Sequence, residues 1–96
     1  MKRTEAKSIA EIIGDFMQQE DIETAMLEHR ALQHWVNVVG PGINRMTTER
    51  YVENGVITMK IASAALRNDL MLSRSAIIEQ LNKLVGKPVI REIILR

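Results

Sequence analysis

Residues 48–63 read TERYVENGVITMKIAS, in which apolar and polar side chains alternate on both sides of Asn54 and Gly55. Asn-Gly is the preferred pair for a two-residue type I′ turn, because both central residues of that turn need positive φ. The stretch therefore predicts a β-hairpin, and a turn of this length also fixes the register of the two strands. The predicted partners are Glu53 with Val56, Val52 with Ile57, Arg50 with Met59, and Glu49 with Lys60.

This register gives the hairpin two different faces. One face is apolar and carries Val52, Ile57, Met59 and Ile61. The other face carries Tyr51, Thr58 and the opposed charges of Glu49 and Lys60. Because an antiparallel sheet with one apolar face buries that face, we expect helices to cover the first set and solvent to reach the second.

Two helices are predicted upstream of the hairpin. The first has an amphipathic stripe with i, i+3, i+4 spacing behind a capping box at Ser8 and Glu11, with an earlier start at Thr4 as the alternative. Its stripe consists of Ile9, Ile12, Ile13, Phe16 and Met17. The second is predicted over residues 21–39, with Gly40, Pro41 and Gly42 ending it, because proline cannot continue a helix. Residues 18–21 are only a weak break, so one kinked helix is the alternative.

A third helix and a third strand are predicted downstream. Ser63 is a plausible N-cap for a helix that ends near Val85, where Gly86 suits the left-handed C′ position and Pro88 follows as a stop. Residues 89–96 (VIREIILR) are rich in β-branched side chains and predict a strand. The predicted order is α-α-β-β-α-β, an α+β fold whose three-stranded sheet has its apolar face covered by helices.

The composition fits a single domain over residues 1–96, in which the helix within residues 1–20 either packs on the core or lies at the periphery. Hydrophobic residues make up 46% of the 96 residues, an ordinary share for a globular domain. There is no cysteine, which excludes disulfides, thiolate zinc sites and cysteine nucleophiles. No apolar run has the length of a secretory signal or a membrane span, so a cytoplasmic protein without membrane contact is expected.

The sequence offers no catalytic constellation. His29 and His34 are five residues apart, whereas a zinc-binding pair on one helix face is spaced by four. Residues 40–42 lack the pattern of a phosphate-binding loop, and the serines lack the context of a nucleophile elbow. We therefore expect a protein that is not an enzyme and uses no metal or other cofactor.

The charge distribution points to the second half of the chain if a polyanion is bound. Residues 1–40 carry four basic and seven acidic side chains, a net charge of −3, and residues 41–96 carry nine basic and five acidic, a net charge of +4. The candidate phosphate contacts are Arg50, Lys60, Arg67 and Arg74. Tyr51 is the candidate for base stacking, whereas Trp35 is interpreted as a core anchor. The alternative is that the charges are ordinary solvated side chains.

The stripe of the first helix has two interpretations. It either covers the sheet or packs on a partner helix, including its own copy in a homodimer. In the second case Ile9, Ile13 and Phe16 are the candidate interface residues.

Four segments together resemble a known family in their order and spacing. They are residues 35–40 (WVNVVG), 55–63 (GVITMKIAS), 78–86 (IEQLNKLVG) and 90–96 (IREIILR). With these segments the chain resembles the DciA-like family, and the resemblance covers about residues 25–96. It implies a KH-like fold and a role with the replicative helicase DnaB in bacterial DNA replication, including its loading and contact with single-stranded or forked DNA.

The chain departs from the pattern of longer DciA-like members in two ways. Their domain is followed by a C-terminal tail, whereas this sequence stops at Arg96, so helicase contact is expected through the folded surface or the first helix. KH domains clamp nucleic acid with a GXXG loop, which is absent here, so DNA contact is expected to be mainly electrostatic. The alternative functions are a general single-stranded DNA or RNA-binding module, and a protein–protein adaptor that binds no nucleic acid.

Overall fold

The computed structural model describes residues 19–96, and within that range it contains four helices and a three-stranded sheet. The helices are α1 (Gln19–Gln33), α2 (Trp35–Met46), α3 (Ala64–Leu72) and α4 (Arg74–Val85). The strands are β1 (Thr47–Glu53), β2 (Val56–Ile61) and β3 (Glu92–Leu95). The order α1-α2-β1-β2-α3-α4-β3 confirms an α+β fold. The predicted first helix, with Ile9, Ile13 and Phe16, lies outside the described residues.

The hairpin has the predicted register at every predicted pair. Asn54 and Gly55 both have positive φ, at 52° and 79°, as a type I′ turn requires. The sheet order is β1-β2-β3, and β3 runs parallel to β2. The second strand of the hairpin is therefore the central strand of the sheet, with a neighbour along each edge.

The core lies between the apolar face of the sheet and the helices. Ile57, Met59 and Ile61 are buried there, and Val52 packs against them. Trp35 is fully buried, and its indole Nε1 donates a hydrogen bond to Thr47 Oγ1 at 2.9 Å. The core-anchor interpretation of this tryptophan is therefore confirmed, since a buried indole is stable when its N–H has a partner.

The predicted second helix, residues 21–39, is divided, because α1 ends at Gln33 and α2 begins at Trp35; the predicted stop at residues 40–42 is an interruption, after which helical structure continues to Met46. Gly40 leaves the helical region with φ 90° and ψ 164°, and the chain then resumes a helix at Pro41. Proline suits the first position of a helical segment, where no intrahelical partner exists for the missing N–H. The Gly-Pro pair is therefore a kink inside α2 rather than its end.

The predicted third helix has the right ends but is divided in two. Ser63 Oγ accepts a hydrogen bond from the Leu66 N–H at 3.2 Å, and Gly86 takes the left-handed cap conformation with φ 89°. At Ser73, which has φ −103° and ψ 12°, the helical region is interrupted between α3 and α4. On either side of the break, α3 contacts β2 and β3, whereas α4 contacts α1, α2 and β3.

The hairpin turn is locked in place by the segment that enters β3. The Gly55 N–H donates to a carboxylate oxygen of Glu28 in α1, and its carbonyl accepts from the Arg91 N–H at 2.8 Å. The Asn82 side chain in α4 both donates to the Ile90 carbonyl, at 2.9 Å, and accepts from the Ile90 N–H, at 2.8 Å. These contacts tie the turn and the start of β3 to two helices.

Candidate nucleic-acid interface

The outer face of the sheet is the face opposite the helices. Its central row is formed by Tyr51, Thr58 and Ile94, which are neighbours across the three strands. Tyr51 and Ile94 are 49% and 45% exposed, whereas Thr58 between them is 7% exposed. The threonine is shielded because it is short and lies on the central strand, between two longer side chains.

A concavity of about 260 Å³ opens on the outer face beside this row. Its walls are Glu49, Tyr51, Thr58, Lys60 and Arg96. Lys60 Nζ lies 3.7 Å from Glu49 Oε2, and both side chains are largely exposed. An ion pair of this kind in water is weak, so either charge remains available to a ligand. The concavity thus combines one aromatic ring with two cations and one carboxylate.

Arg50, a predicted phosphate contact, lies on the helix-covered side of the hairpin. Its Nη1 donates to Asn44 Oδ1 at 2.8 Å, and its Nη2 donates to the carbonyls of Asn44 and Thr47 at 3.2 and 3.3 Å. These acceptors are at the end of α2 and the start of β1. Much of the guanidinium is therefore used to join that helix end to the strand.

Arg74, another predicted contact, lies at the opposite end of the sheet from Lys60. Its Nε is 3.5 Å from Glu92 Oε1, and Glu92 is paired with Val56 at the turn end of β2. Lys60 follows Val56 by four residues, so the two ends are about 13 Å apart at a strand rise of about 3.3 Å per residue. Of the predicted contacts, Tyr51 and Lys60 share one concavity, whereas Arg50 and Arg74 lie elsewhere.

Arg67, the remaining predicted contact, is half-buried in α3 one turn after the Ser63 cap. Two residues separate the end of β2 from the start of α3, so this arginine follows in sequence the strand that carries Lys60. It does not line the concavity.

Arg96 and Ile94 are outer-face residues that the sequence interpretation did not single out. A period of two along residues 92–96 places both on one face of β3, which was a usable signal. The pairing of β3 with β2 was the missing information, because a parallel partner is distant in sequence and has no turn to mark it. The backbone of Arg96 is hydrogen-bonded to Met59 and Ile61, which brings its side chain beside Lys60.

A second concavity, of about 340 Å³, lies between α1 and the end of α4. Met26, Leu27 and Val85 supply apolar walls, and Lys87 Nζ donates to Glu23 Oε1 at 2.7 Å along the rim. This hydrogen bond, together with the lysine's charge, lowers the pKa of Glu23 below its ordinary value. This groove therefore has charged side chains along its rim, unlike the buried hydrophobic core.

Residues 19–96 contain no group of three or more His, Asp or Glu side chains placed to hold a metal ion. The helices of that range are also too short or too polar to cross a membrane.

A comparison of the sequence with protein-family models finds a match over residues 8–95, to the model described as Dna[CI] antecedent, DciA. The chain belongs to the DciA family. No curated protein sequence matches it significantly. The name of the DciA family implies a role related to loading of the DnaB helicase in DNA replication. The earlier resemblance is therefore confirmed at the level of the family.

Proposed function

We propose that this DciA-family protein is a non-enzymatic factor of bacterial DNA replication that binds the DnaB-type replicative helicase and takes part in its loading. The observation that carries the proposal is the family match, which spans residues 8–95. The protein acts in the cytoplasm, where chromosomal replication takes place. It contacts single-stranded DNA at the helicase, through a surface with few positive charges.

Two apolar surfaces are candidates for the helicase contact. The first is the stripe with Ile9, Ile13 and Phe16, which the sequence predicts to be amphipathic. The second is the corner between α3 and α4, where Leu72 is 88% exposed and Met71 is 48% exposed. Exposed apolar groups that lie together often mark a protein contact. Phe16→Ser and Leu72→Ser, made in separate chains, test the two surfaces one at a time. The variant that captures less helicase identifies the surface that makes the contact.

The proposed DNA contact is mainly electrostatic. Lys60 and Arg96 lie together at one end of the outer face, and Arg67 follows β2 in sequence. We expect the logarithm of the binding constant to fall linearly with the logarithm of salt concentration, by about 0.7 per neutralised phosphate of a single strand. With two or three such contacts the affinity is modest.

The test is capture of purified DnaB-type helicase on the immobilised chain of residues 1–96, with and without forked DNA. Resin without the chain is the control for non-specific retention. Capture in the absence of DNA is the expected result, because the proposed contact is between proteins. Capture only when DNA is present, or DNA binding with no capture, overturns the helicase contact and favours a general single-stranded nucleic-acid-binding module. Absence of both overturns the whole proposal.

A further inference from the structure

We infer that the concavity on the outer face is a nucleotide site, which takes one unpaired base of single-stranded DNA against the ring of Tyr51 and the neighbouring phosphates at Lys60 and Arg96. The inference rests on the proposed function for the choice of DNA as the polymer. Beyond the proposed function, it names the residues that make the contact and states that the bound base is unpaired.

Above the row of Tyr51, Thr58 and Ile94, the concavity has Tyr51 as a wall and Thr58 as its floor, and Ile94 does not line it. Tyr51 and Ile94 stand on the two edge strands, and Thr58 is the low floor between them. With neighbouring strands about 4.8 Å apart, the two edge strands are about 10 Å apart, which leaves room for a ring above the threonine. The 260 Å³ concavity is smaller than the ~300 Å³ at which whole small-molecule pockets begin, so it suits a single base.

The charges along the outer face orient a nucleic-acid strand. Lys60 and Arg96 are at one end of the concavity, and Glu49 lies beside Lys60 as its cross-strand partner on β1. The opposite end of the sheet, next to the turn, carries Glu53 and Glu92. At that second end Arg74 pairs with Glu92 and Arg91 Nε donates to the Asn54 carbonyl, so the acidic charge is balanced. The first end has two cations to one carboxylate and attracts phosphates.

The platform for the base is already in place before binding. Tyr51 is paired within the antiparallel hairpin, and the turn of that hairpin is hydrogen-bonded both to Glu28 and to the segment before β3. An aromatic ring held on a strand loses little freedom when a ligand stacks on it. A sheet presenting an aromatic ring to a base is also how several single-strand-binding domains work, because stacking tolerates any sequence.

The experiment is fluorescence anisotropy of a short labelled oligothymidylate with the full chain and its variants. Tyr51→Ala is expected to weaken binding about tenfold, a middle value for the loss of one base–aromatic stack. Tyr51→Phe keeps the ring and is expected to bind like the parent chain. Lys60→Gln and Arg96→Gln are each expected to reduce the slope of log affinity against log salt by about 0.7.

Glu49→Gln is expected to change the affinity in the opposite direction. It removes the carboxylate that competes with phosphate for Lys60, so binding is expected to tighten. Lys83→Gln is the matched control, because it removes one exposed positive charge from α4 without touching the outer face. Its affinity and salt slope are expected to stay close to those of the parent chain.

Three results overturn the site: equal affinity for Tyr51→Ala and Tyr51→Phe, an equal loss in Lys83→Gln and Lys60→Gln, or equal affinity for single-stranded and duplex DNA. A parent chain that binds DNA while the Tyr51 and Lys60 variants are unchanged refutes the site alone. A parent chain that binds neither DNA nor helicase refutes the proposed function as well. Circular dichroism of each variant checks that it is folded, and captured helicase should remain the same for Tyr51→Ala.

Discussion

The two faces of the sheet are built from alternate residues of the same strands, yet they have different physical roles. On the helix-covered face, Ile57 and Ile93 are 0% and 1% exposed. On the outer face, their chain neighbours Thr58 and Ile94 form a row with Tyr51, and two of those three side chains remain about half exposed. Burial contributes to stability in proportion to the apolar area removed from water, whereas exposed side chains are available to ligands. Neighbouring positions on one strand should therefore separate stability from binding.

The largest expected effect is on the covered face. Ile57→Ala removes a fully buried side chain and leaves a cavity, so we expect a loss of about 2–5 kcal/mol in the free energy of unfolding. Tyr51→Ala on the outer face removes a half-exposed cross-strand partner, worth about 0.2–1 kcal/mol. Urea denaturation of both variants measures the difference. Equal losses would contradict the division of the sheet into a stabilising face and a binding face.

The next largest loss of stability is expected at Asn82, whose side chain holds the segment that enters β3. Asn82→Ala removes both hydrogen bonds to the Ile90 backbone and leaves its N–H and carbonyl without those partners. A buried polar group left unsatisfied costs about 1–3 kcal/mol, which we expect as the loss in the free energy of unfolding. Asn37→Ala, at an exposed position of α2, is the matched control. Similar denaturation midpoints for the two variants would show that the Asn82 contacts do not hold β3.

A smaller effect is expected at the turn that keeps the two faces in register. Gly55 has φ 79°, and a Cβ there would lie 3.0 Å from the Val89 carbonyl oxygen. Gly55→Ala should cost about 1–2 kcal/mol from the left-handed conformation alone. Gly42→Ala is the control, because a Cβ at Gly42 meets no atom within 4 Å. Thermal melting should show a lower midpoint for the first variant only, and an unchanged midpoint there would contradict a locked turn.

The smallest effect lies away from both faces, at the exposed pair of Glu23 and Lys87. Because Lys87 lowers the pKa of Glu23 in the folded chain, the folded state favours the charged carboxylate. The contribution to stability is present above the ordinary glutamate pKa and is lost as pH falls through the lowered pKa. The difference in melting temperature between the parent chain and Glu23→Gln should therefore shrink on acidification. A difference that grows at low pH would reverse this assignment.

Much of the hairpin could be predicted because its signals are local. Asn54 and Gly55 supply the positive φ values of the turn, and a side-chain period of two then assigns Tyr51 and Ile57 to opposite faces. The ends of the downstream helical region were equally readable, since Ser63 caps its start and Gly86 its end through contacts within a few residues. In each case the deciding interaction is made by residues close together in the sequence.

The sequence by itself thus determined the strands of the hairpin, their register, and which side chains share a face. Only the tertiary structure decided the break at Ser73 and the parallel pairing that makes β2 central. These depend on packing between elements that are distant in the chain, and no local pattern records such packing. The candidate site shows the same division. The shared face of Tyr51 and Lys60 could be predicted from the hairpin, whereas Arg96 lies beside them only because β3 pairs with β2. Arg50 and Arg74 contact other residues, which the sequence did not indicate.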